Sequence, residues 1–188
     1  MDACMSEWRF HKVEVFKKFY PHAYFGFSKD GNPVYVERLG KLDISSFLKE
    51  TSVEDYIRYH ILKWEYVHRV LFPLASAKSG KKITSLITIA DLTDFSSSQM
   101  SSSVMRFLGA IAEIDQGYYP GSGNLYIVNA PWVFGAVWSM IKPLIGASTK
   151  GKVSIIKGNP KTQLSELIDL SCLPDFLGGN ASWDTITE

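Results

Sequence analysis

The sequence predicts an α/β domain built on a largely parallel sheet. Three apolar runs rich in β-branched residues (83–90, 125–129 and 153–156) are the first observation, because such runs are typical of strands buried on both faces. Segments of helical length separate them, and strands alternating with helices form parallel units with right-handed crossovers. The chain has 188 residues, of which 46% are hydrophobic, and this size suits one domain with its own core.

The N-terminal part of the sequence predicts a hairpin. Residues 6–19 have the apolar spacing of a short amphipathic helix, or they form an extended lead-in, and Tyr20-Pro21 ends that segment. Two β-rich segments, 24–27 and 34–36, then flank Asp30-Gly31, which is a strong hairpin signal. Helices are predicted over 42–50, from Ser52 to about Ala77, over 101–116, from Pro131 onward, and over 161–170.

Charge and composition exclude several classes of protein. The chain has 20 Lys and Arg against 19 Asp and Glu, so no overall positive field favours nucleic acid. Cys4 and Cys172 could form one disulfide across a long loop, but two reduced thiols of a cytoplasmic protein are the expected state. The first residues do not have the pattern of a signal peptide, and no apolar run approaches the ~18 residues of a membrane span. Any membrane contact is therefore expected to be peripheral.

Partial catalytic motifs do not combine into a site. Residues 146–152 match the start of a phosphate-binding loop, but Val153 stands where Ser or Thr would bind magnesium, and a strand follows instead of a helix. Residues 121–123 lack the outer spacing of a serine nucleophile turn. His60 and His68 are eight apart on one helix, which is more typical of core-edge or surface histidines than of a zinc site.

Two carboxylates, Asp91 and Asp94, follow a predicted strand. They could bind a cation, but carboxylates in this position more often cap a turn through backbone N–H groups. The sequence therefore predicts a protein that is not an enzyme and that needs neither a cofactor nor a metal.

The segment from Trp132 to Ile141 carries no charge. A helix that is apolar all round is either buried or in contact with lipid, and this one is too short to span a bilayer. It could be a core helix between strands. Alternatively, it could be a movable cover that retains an apolar ligand and faces lipid when it opens. Its two tryptophans suit an interface that is partly wet.

Several short motifs occur in a fixed order along the chain. They are Phe19-Tyr20-Pro21, Asp30-Gly31-Asn32-Pro33-Val34-Tyr35, Glu37-Arg38-Leu39-Gly40, Asp91-Leu92, Tyr119-Pro120, Asn129-Ala130-Pro131, Ile141-Lys142-Pro143, Thr149, Lys152, Leu173-Pro174 and Gly178-Gly179. In this order and spacing, the chain from Trp8 to Gly179 resembles the Sec14-like or CRAL-TRIO lipid-binding domains, with the greatest similarity to the phosphatidylinositol-transfer members.

The resemblance implies a sheet floor and helical walls around an apolar pocket for one lipid. It also implies a gate helix from Pro131 to about Leu144, and the expected gate residues are Trp132, Phe134, Val137, Trp138 and Ile141. The implied function is binding of a single phospholipid, phosphatidylinositol or phosphatidylcholine, and its exchange or presentation at membranes. The expected protein is a cytoplasmic monomer that touches membranes transiently and binds no nucleic acid. Lys142, Lys150 and Lys152 could favour anionic leaflets.

The resemblance also implies candidate headgroup residues. Thr149 and Lys152 match the Thr and Lys that hold the inositol phosphate in phosphoinositide-binding members. Thr88 matches one of two floor hydroxyls used for phosphatidylcholine, and Leu86 replaces the other. Tyr35 is a further possible pocket hydroxyl or a core aromatic.

Two departures from the family pattern leave alternatives open. Gly121 stands where the family has a Glu that binds inositol hydroxyls. Residues 1–19 are expected to be a remnant of the family's N-terminal helical module, or a lead-in, before a lipid-binding domain at 20–188. The alternatives are a protein-interaction module that does not exchange lipid and a carrier of another hydrophobic molecule.

Overall fold

The computed structural model describes residues 12–96, 99, 104, 109–115, 123–144 and 150–185. The described strands form one five-stranded sheet in sequential order. They are β1 (His22–Phe27), β2 (Pro33–Glu37), β3 (Leu86–Asp91), β4 (Gly123–Val128) and β5 (Val153–Ile155). Only the β1–β2 pair is antiparallel, and the other three pairs are parallel. The predicted α/β class with a mostly parallel sheet is confirmed.

The helices pack around this sheet. They are α1 (Val13–Phe19), α2 (Ile44–Glu50), α3 (Val53–Tyr66), α4 (Phe72–Ser79), α5 (Phe134–Ile141) and α6 (Pro160–Leu167). Residues 109–115 are also helical. Short 3₁₀ turns follow several elements, at Leu39–Lys41, Lys142–Leu144, Leu170–Cys172, Asp175–Leu177 and Trp183–Thr185.

Local sequence signals account for most of these boundaries. Ser52 caps α3 as predicted, because its hydroxyl accepts the Asp55 N–H while the Asp55 carboxylate accepts the Ser52 N–H. Asp43 caps α2 through the Ser46 N–H. The predicted hairpin is also confirmed: Gly31 has a φ of 86°, which favours glycine, in the turn between β1 and β2.

The long helix predicted from Ser52 to about Ala77 is interrupted. A π-helical turn at Val67–Leu71 separates α3 from α4. Pro73 lies in the first turn of α4, where it has no N–H and its ring would clash with the carbonyl four residues earlier in a regular helix. The wider π turn accommodates this proline, and the helix therefore continues with a local change of pitch.

The central strand begins later than predicted. We expected it to start at Ile83, but β3 starts at Leu86 and ends at Asp91. The backbone N–H of Ile83 donates to the Ser76 hydroxyl at 2.9 Å, so this residue connects α4 to the sheet instead of pairing with a neighbouring strand.

The two faces of the sheet are packed differently. One face is closed by α6 and the C-terminal turns, around a cluster that includes Val34, Val36, Ile87 and Ile89. We call the other side the floor face; it carries Tyr35, Thr88 and Leu125 in one row and Glu37 and Ala90 in the next. Helices α3, α4 and α5 lie over the floor face.

Candidate functional site

A row of side chains crosses the floor face at its centre. Tyr35, Thr88, Leu125 and Val153 are direct neighbours on four successive strands. Every residue of β3 is buried except Thr88, which is half-buried. A central strand covered on both faces is normally buried along its whole length, so this break in burial indicates space above the middle of the floor.

A polar cluster joins α3 to the floor face beside this row. The Lys63 ammonium donates to the Tyr35 hydroxyl at 2.7 Å and lies 3.5 Å from a Glu37 carboxylate oxygen. The Tyr20 hydroxyl donates to the same carboxylate. Lys63 and Glu37 thus form a largely buried ion pair whose charges are also satisfied by phenol groups, as such pairs require.

Burial controls the protonation of Tyr20 and Tyr35 and of His22, which lies beside them. Burial, followed by the Glu37 charge, raises the pKa of Tyr20 and of Tyr35 well above the usual value, so both phenols keep their protons. Burial, and secondarily the Lys63 charge, lowers the pKa of His22 to about 4. The neutral His22 ring donates from Nδ1 to the Tyr20 carbonyl and accepts the Tyr59 hydroxyl at Nε2, each at 2.6 Å.

The predicted gate segment forms α5 and the 3₁₀ turn that follows it. Phe134 and Val137 are buried against a cluster that includes Ala90, Leu92 and Ile127. Trp138 and Ile141 are half-buried at the edge of the same cluster; Trp132, just before the helix, is 94% exposed. The segment is therefore not a core helix, because it packs through one side and exposes apolar surface on the other. From here on, gate helix means residues 131–144.

A cleft of about 530 Å³ lies along the first turns of the gate helix. Pro131, Phe134 and Trp138 line one side, and Ile155 and Gly158 line the other. This volume is in the range of ligand-binding clefts. The helix is thus separated from the end of β5 along part of its length.

The gate helix begins at a fixed corner of the sheet. The Asp91 carboxylate, which is buried at the end of β3, accepts hydrogen bonds from the Thr93 N–H, the Thr93 hydroxyl and the Asn129 side-chain amide. Asn129 has a φ of 53°, so the chain turns sharply out of β4 at this residue. Asp91 is therefore a turn-stabilising carboxylate, one of the two roles left open by the sequence.

The predicted headgroup residues are only partly brought together. Tyr35 and Thr88 are register neighbours on the floor face. Lys152 precedes β5 two strands further along the sheet; it is half-buried, and its carbonyl accepts the Leu125 N–H at 2.9 Å. Thr149 and the Gly121 position lie outside the described residues. The headgroup roles of these residues stay predictions.

The sequence analysis named Glu37 only as part of a motif, and it missed both Lys63 and the ion pair that the two residues form. Lys63 lies seven residues after Tyr56 and four after Tyr59, both of which are buried on the inner side of α3. A lysine at that spacing lies on the apolar stripe of the helix. The spacing alone therefore predicts that Lys63 is buried and that its charge is paired with an acidic group.

The two histidines of the long helix have separate environments. His60 bonds Asp115 at 2.6 Å and ties α3 to the 109–115 helix, with the Trp64 indole donating to the same carboxylate at 3.1 Å. His68 is exposed. Within the described ranges, no group of three or more His, Cys, Asp or Glu is placed to hold a metal ion. No helix in the described part of the chain has the length and hydropathy needed to cross a bilayer.

Both the sequence and the α/β fold of this chain are similar to those of known proteins. A family model described as the CRAL/TRIO domain matches residues 17–179. The chain belongs to the CRAL/TRIO domain family.

Curated relatives extend this similarity. The chain is 36% identical over 183 residues to the phosphatidylinositol/phosphatidylcholine transfer protein SFH11 of Arabidopsis thaliana, and the match covers 97% of this chain and 49% of that protein. It is 33% identical over 181 residues to the Sec14 cytosolic factor of Schizosaccharomyces pombe, covering 96% of this chain and 63% of that protein. The chain thus spans about half to two thirds of the length of these two relatives.

A solved structure shows the same fold. The crystal structure of Sfh5 superposes with a TM-score of 0.65 at 21% identity, and the match covers 83% of this chain and 52% of that one. The predicted resemblance to the Sec14-like and CRAL-TRIO domains is confirmed.

Proposed function

We propose that this domain binds one phospholipid between the floor face and the gate helix and exchanges it at membranes. The observation that carries the proposal is the break in burial at Thr88, in the middle of an otherwise buried strand and beside the Tyr35 hydroxyl. SFH11 and further curated relatives from Arabidopsis thaliana are named as phosphatidylinositol/phosphatidylcholine transfer proteins, which supports the same class of ligand.

The energetics require a membrane for exchange. Burying each CH₂ group contributes about 0.8 kcal/mol, so two acyl chains of ~16 carbons gain on the order of 20 kcal/mol. Escape of such a ligand into water would be very slow. An exchange that places the chains in a bilayer avoids this barrier, and it needs no covalent step, cofactor or metal.

The gate helix has the composition needed for that contact. Trp132 presents almost its whole indole outward, and Met140 is 45% exposed on the outer side of the helix. Lys142, in the last turn of this segment, is exposed, and so is Lys150, which follows the segment in the sequence. Each lysine near an anionic leaflet contributes about 1 kcal/mol. We therefore propose a cytoplasmic protein that docks peripherally, opens at residues 131–144, exchanges its lipid and closes.

The headgroup contacts follow from the predicted residues. Thr149 and Lys152 would hold the phosphate of an inositol lipid, since a hydroxyl and an ammonium form charge-assisted hydrogen bonds with phosphate oxygens. Tyr35 and Thr88 would provide hydroxyls on the floor.

Native mass spectrometry of the purified chain, followed by lipid extraction, tests the proposal. One phospholipid per chain is expected, exchangeable for a labelled lipid on incubation with vesicles. A chain that stays empty after exposure to phosphatidylinositol and phosphatidylcholine vesicles would contradict it and favour a protein-interaction module. A sterol or another apolar molecule in place of phospholipid would favour the other alternative.

A further inference from the structure

Three buried tyrosines surround the ammonium of Lys63. Its Nζ lies 4.7 Å from the ring centroid of Tyr35, 5.2 Å from that of Tyr20 and 5.8 Å from that of Tyr59. We call these three rings the tyrosine cage. They come from three elements: Tyr20 follows α1, Tyr35 lies on β2 and Tyr59 on α3.

The tyrosine cage has the composition of a quaternary-ammonium site. Aromatic rings attract a cation within about 6 Å of their centroids, and cages of this kind recognise choline and methylated lysine. In this chain the position at the centre is filled by a cation of the protein itself. Glu37, 16% exposed, compensates the Lys63 charge from 3.5 Å.

The cage lies beside the proposed lipid site. Tyr35 contributes its ring to the cage and is also the direct neighbour of Thr88 on the floor face. The Lys63 side chain keeps 12% exposure, so it is not completely buried where it packs beside the floor face. A phospholipid whose headgroup reached this end of the floor would meet a positive charge surrounded by phenol groups.

We infer that Lys63 determines headgroup specificity, because its ammonium fills the tyrosine cage and repels choline. An inositol headgroup is an uncharged polyol on an anionic phosphodiester, so it offers only hydrogen-bonding groups and negative charge to this cation. A choline headgroup carries a quaternary ammonium that competes for the same rings and is repelled by a like charge. The inference rests on the proposed function, and it predicts a preference for phosphatidylinositol over phosphatidylcholine.

Competition between the two lipids tests this inference. The chain is incubated with vesicles containing equal amounts of phosphatidylinositol and phosphatidylcholine, re-isolated, and its bound lipid is quantified by native mass spectrometry. The test variant is Lys63→Met with Glu37→Gln, which removes both charges and leaves the three rings in place. Lys63→Gln is a second variant that can still bond the Tyr35 hydroxyl. Lys12→Met is the matched control, because it also removes a lysine paired with a carboxylate of α3, at Asp55.

Wild type and the Lys12→Met control are expected to carry mainly phosphatidylinositol. In the double variant, the bound ratio of phosphatidylcholine to phosphatidylinositol should rise about tenfold, because an uncharged methionine among the rings no longer repels the choline group. Lys63→Gln should change the ratio in the same direction.

Two results would overturn the inference alone: wild type that prefers phosphatidylcholine, or folded Lys63 variants with the wild-type ratio. Wild type that binds neither lipid would instead overturn the proposed function, and the inference with it.

Discussion

The side-chain amide of Asn129 donates to the Asp91 carboxylate at 2.9 Å, and this bond joins the ends of β4 and β3 immediately before the gate helix. Asp91 is buried, so the hydrogen bond is made away from water. Asn129 also adopts a left-handed backbone conformation, which Asn tolerates better than most residues. Asn129 therefore makes two contributions. Its backbone conformation sets the direction in which the chain leaves β4, and its side chain holds the start of the gate helix to the end of β3.

Replacing Asn129 should separate these two contributions. Asn129→Gly keeps the backbone conformation and loses the hydrogen bond, so we expect a decrease of about 2 kcal/mol in the free energy of unfolding. Asn129→Ala loses the same hydrogen bond and also puts in the left-handed region a residue that tolerates it less well than asparagine, so it should lose about 3 kcal/mol. Urea denaturation measures both. Asn124→Ala, at an exposed position of β4, is the control, and equal losses in all three variants would contradict this role.

Membrane docking should depend on Trp132. Trp132→Asp places a charge where we expect an indole to enter the bilayer interface, so vesicle-to-vesicle lipid transfer should fall at least about tenfold. Trp132 is 94% exposed, and the unfolding free energy should stay close to that of wild type. Trp138 is less suitable for this test, because it is half-buried at the edge of the core.

Leu74→Asp is the control for the docking test. Leu74 is an exposed apolar residue on α4, outside the gate helix, and its replacement should leave transfer unchanged. Equal transfer by wild type and Trp132→Asp would rule out the outward-facing indole as a docking group.

Phosphate recognition should depend on Lys152. Lys152→Met removes an ammonium predicted to bond the inositol phosphate, and a hydrogen bond to a charged group contributes about 1.5–3 kcal/mol. Transfer of phosphatidylinositol should therefore fall about tenfold or more. Transfer of phosphatidylcholine from neutral vesicles is the internal control and should change little. An equal decrease for both lipids would indicate a general loss of membrane binding or folding.

Local patterns in the sequence predict much of this fold. The Asp30-Gly31 turn and the Ser52 cap follow from signals within a few residues of each element. A kink or break in the long helix near Pro73 could also have been predicted from the proline, although its form as a π turn could not. In contrast, the hydrogen bond from the Ile83 N–H to the Ser76 hydroxyl, which joins Ile83 to α4 ahead of β3, is not indicated by any local pattern in the sequence.

Local sequence patterns predict less of the candidate site than of the fold. The apolar gate segment is visible as an uncharged run, but the division into a buried and an exposed side depends on how α5 packs on β3 and β4. The Lys63–Glu37 pair joins residues 26 positions apart in the chain. Spacing along α3 indicates that Lys63 is buried, but its partner on β2 can be identified only from the tertiary structure.

A close backbone contact should make Gly40 irreplaceable. A Cβ at this position would lie 1.9 Å from the carbonyl oxygen of Thr93, so Gly40→Ala must displace the chain after β3. We expect a loss of about 3 kcal/mol in unfolding free energy, at the upper end for overpacking. Gly151→Ala, where a Cβ would meet no atom within 4 Å, should stay within about 0.5 kcal/mol of wild type. Wild-type stability of Gly40→Ala in urea denaturation would contradict the contact.

Stability should depend on pH through His22. Burial lowers the pKa of this histidine to about 4 in the folded chain, whereas an unfolded histidine has a pKa of about 6.5. Between these values the unfolded chain binds the extra proton, so His22 destabilises the folded state progressively as the pH falls from about 6.5 towards 4. Between pH 7 and pH 5 this contribution is on the order of 2 kcal/mol.

Urea denaturation at pH 7 and pH 5 measures this effect. The decrease in unfolding free energy on acidification should be smaller by roughly 2 kcal/mol in His22→Asn than in wild type, even if the variant is less stable at both pH values. His68→Asn, at an exposed histidine, should keep the wild-type dependence on pH. If His22→Asn and wild type lose the same stability between the two pH values, the buried ring is not held neutral, and the hydrogen bond from Tyr59 to its Nε2 must be reassigned.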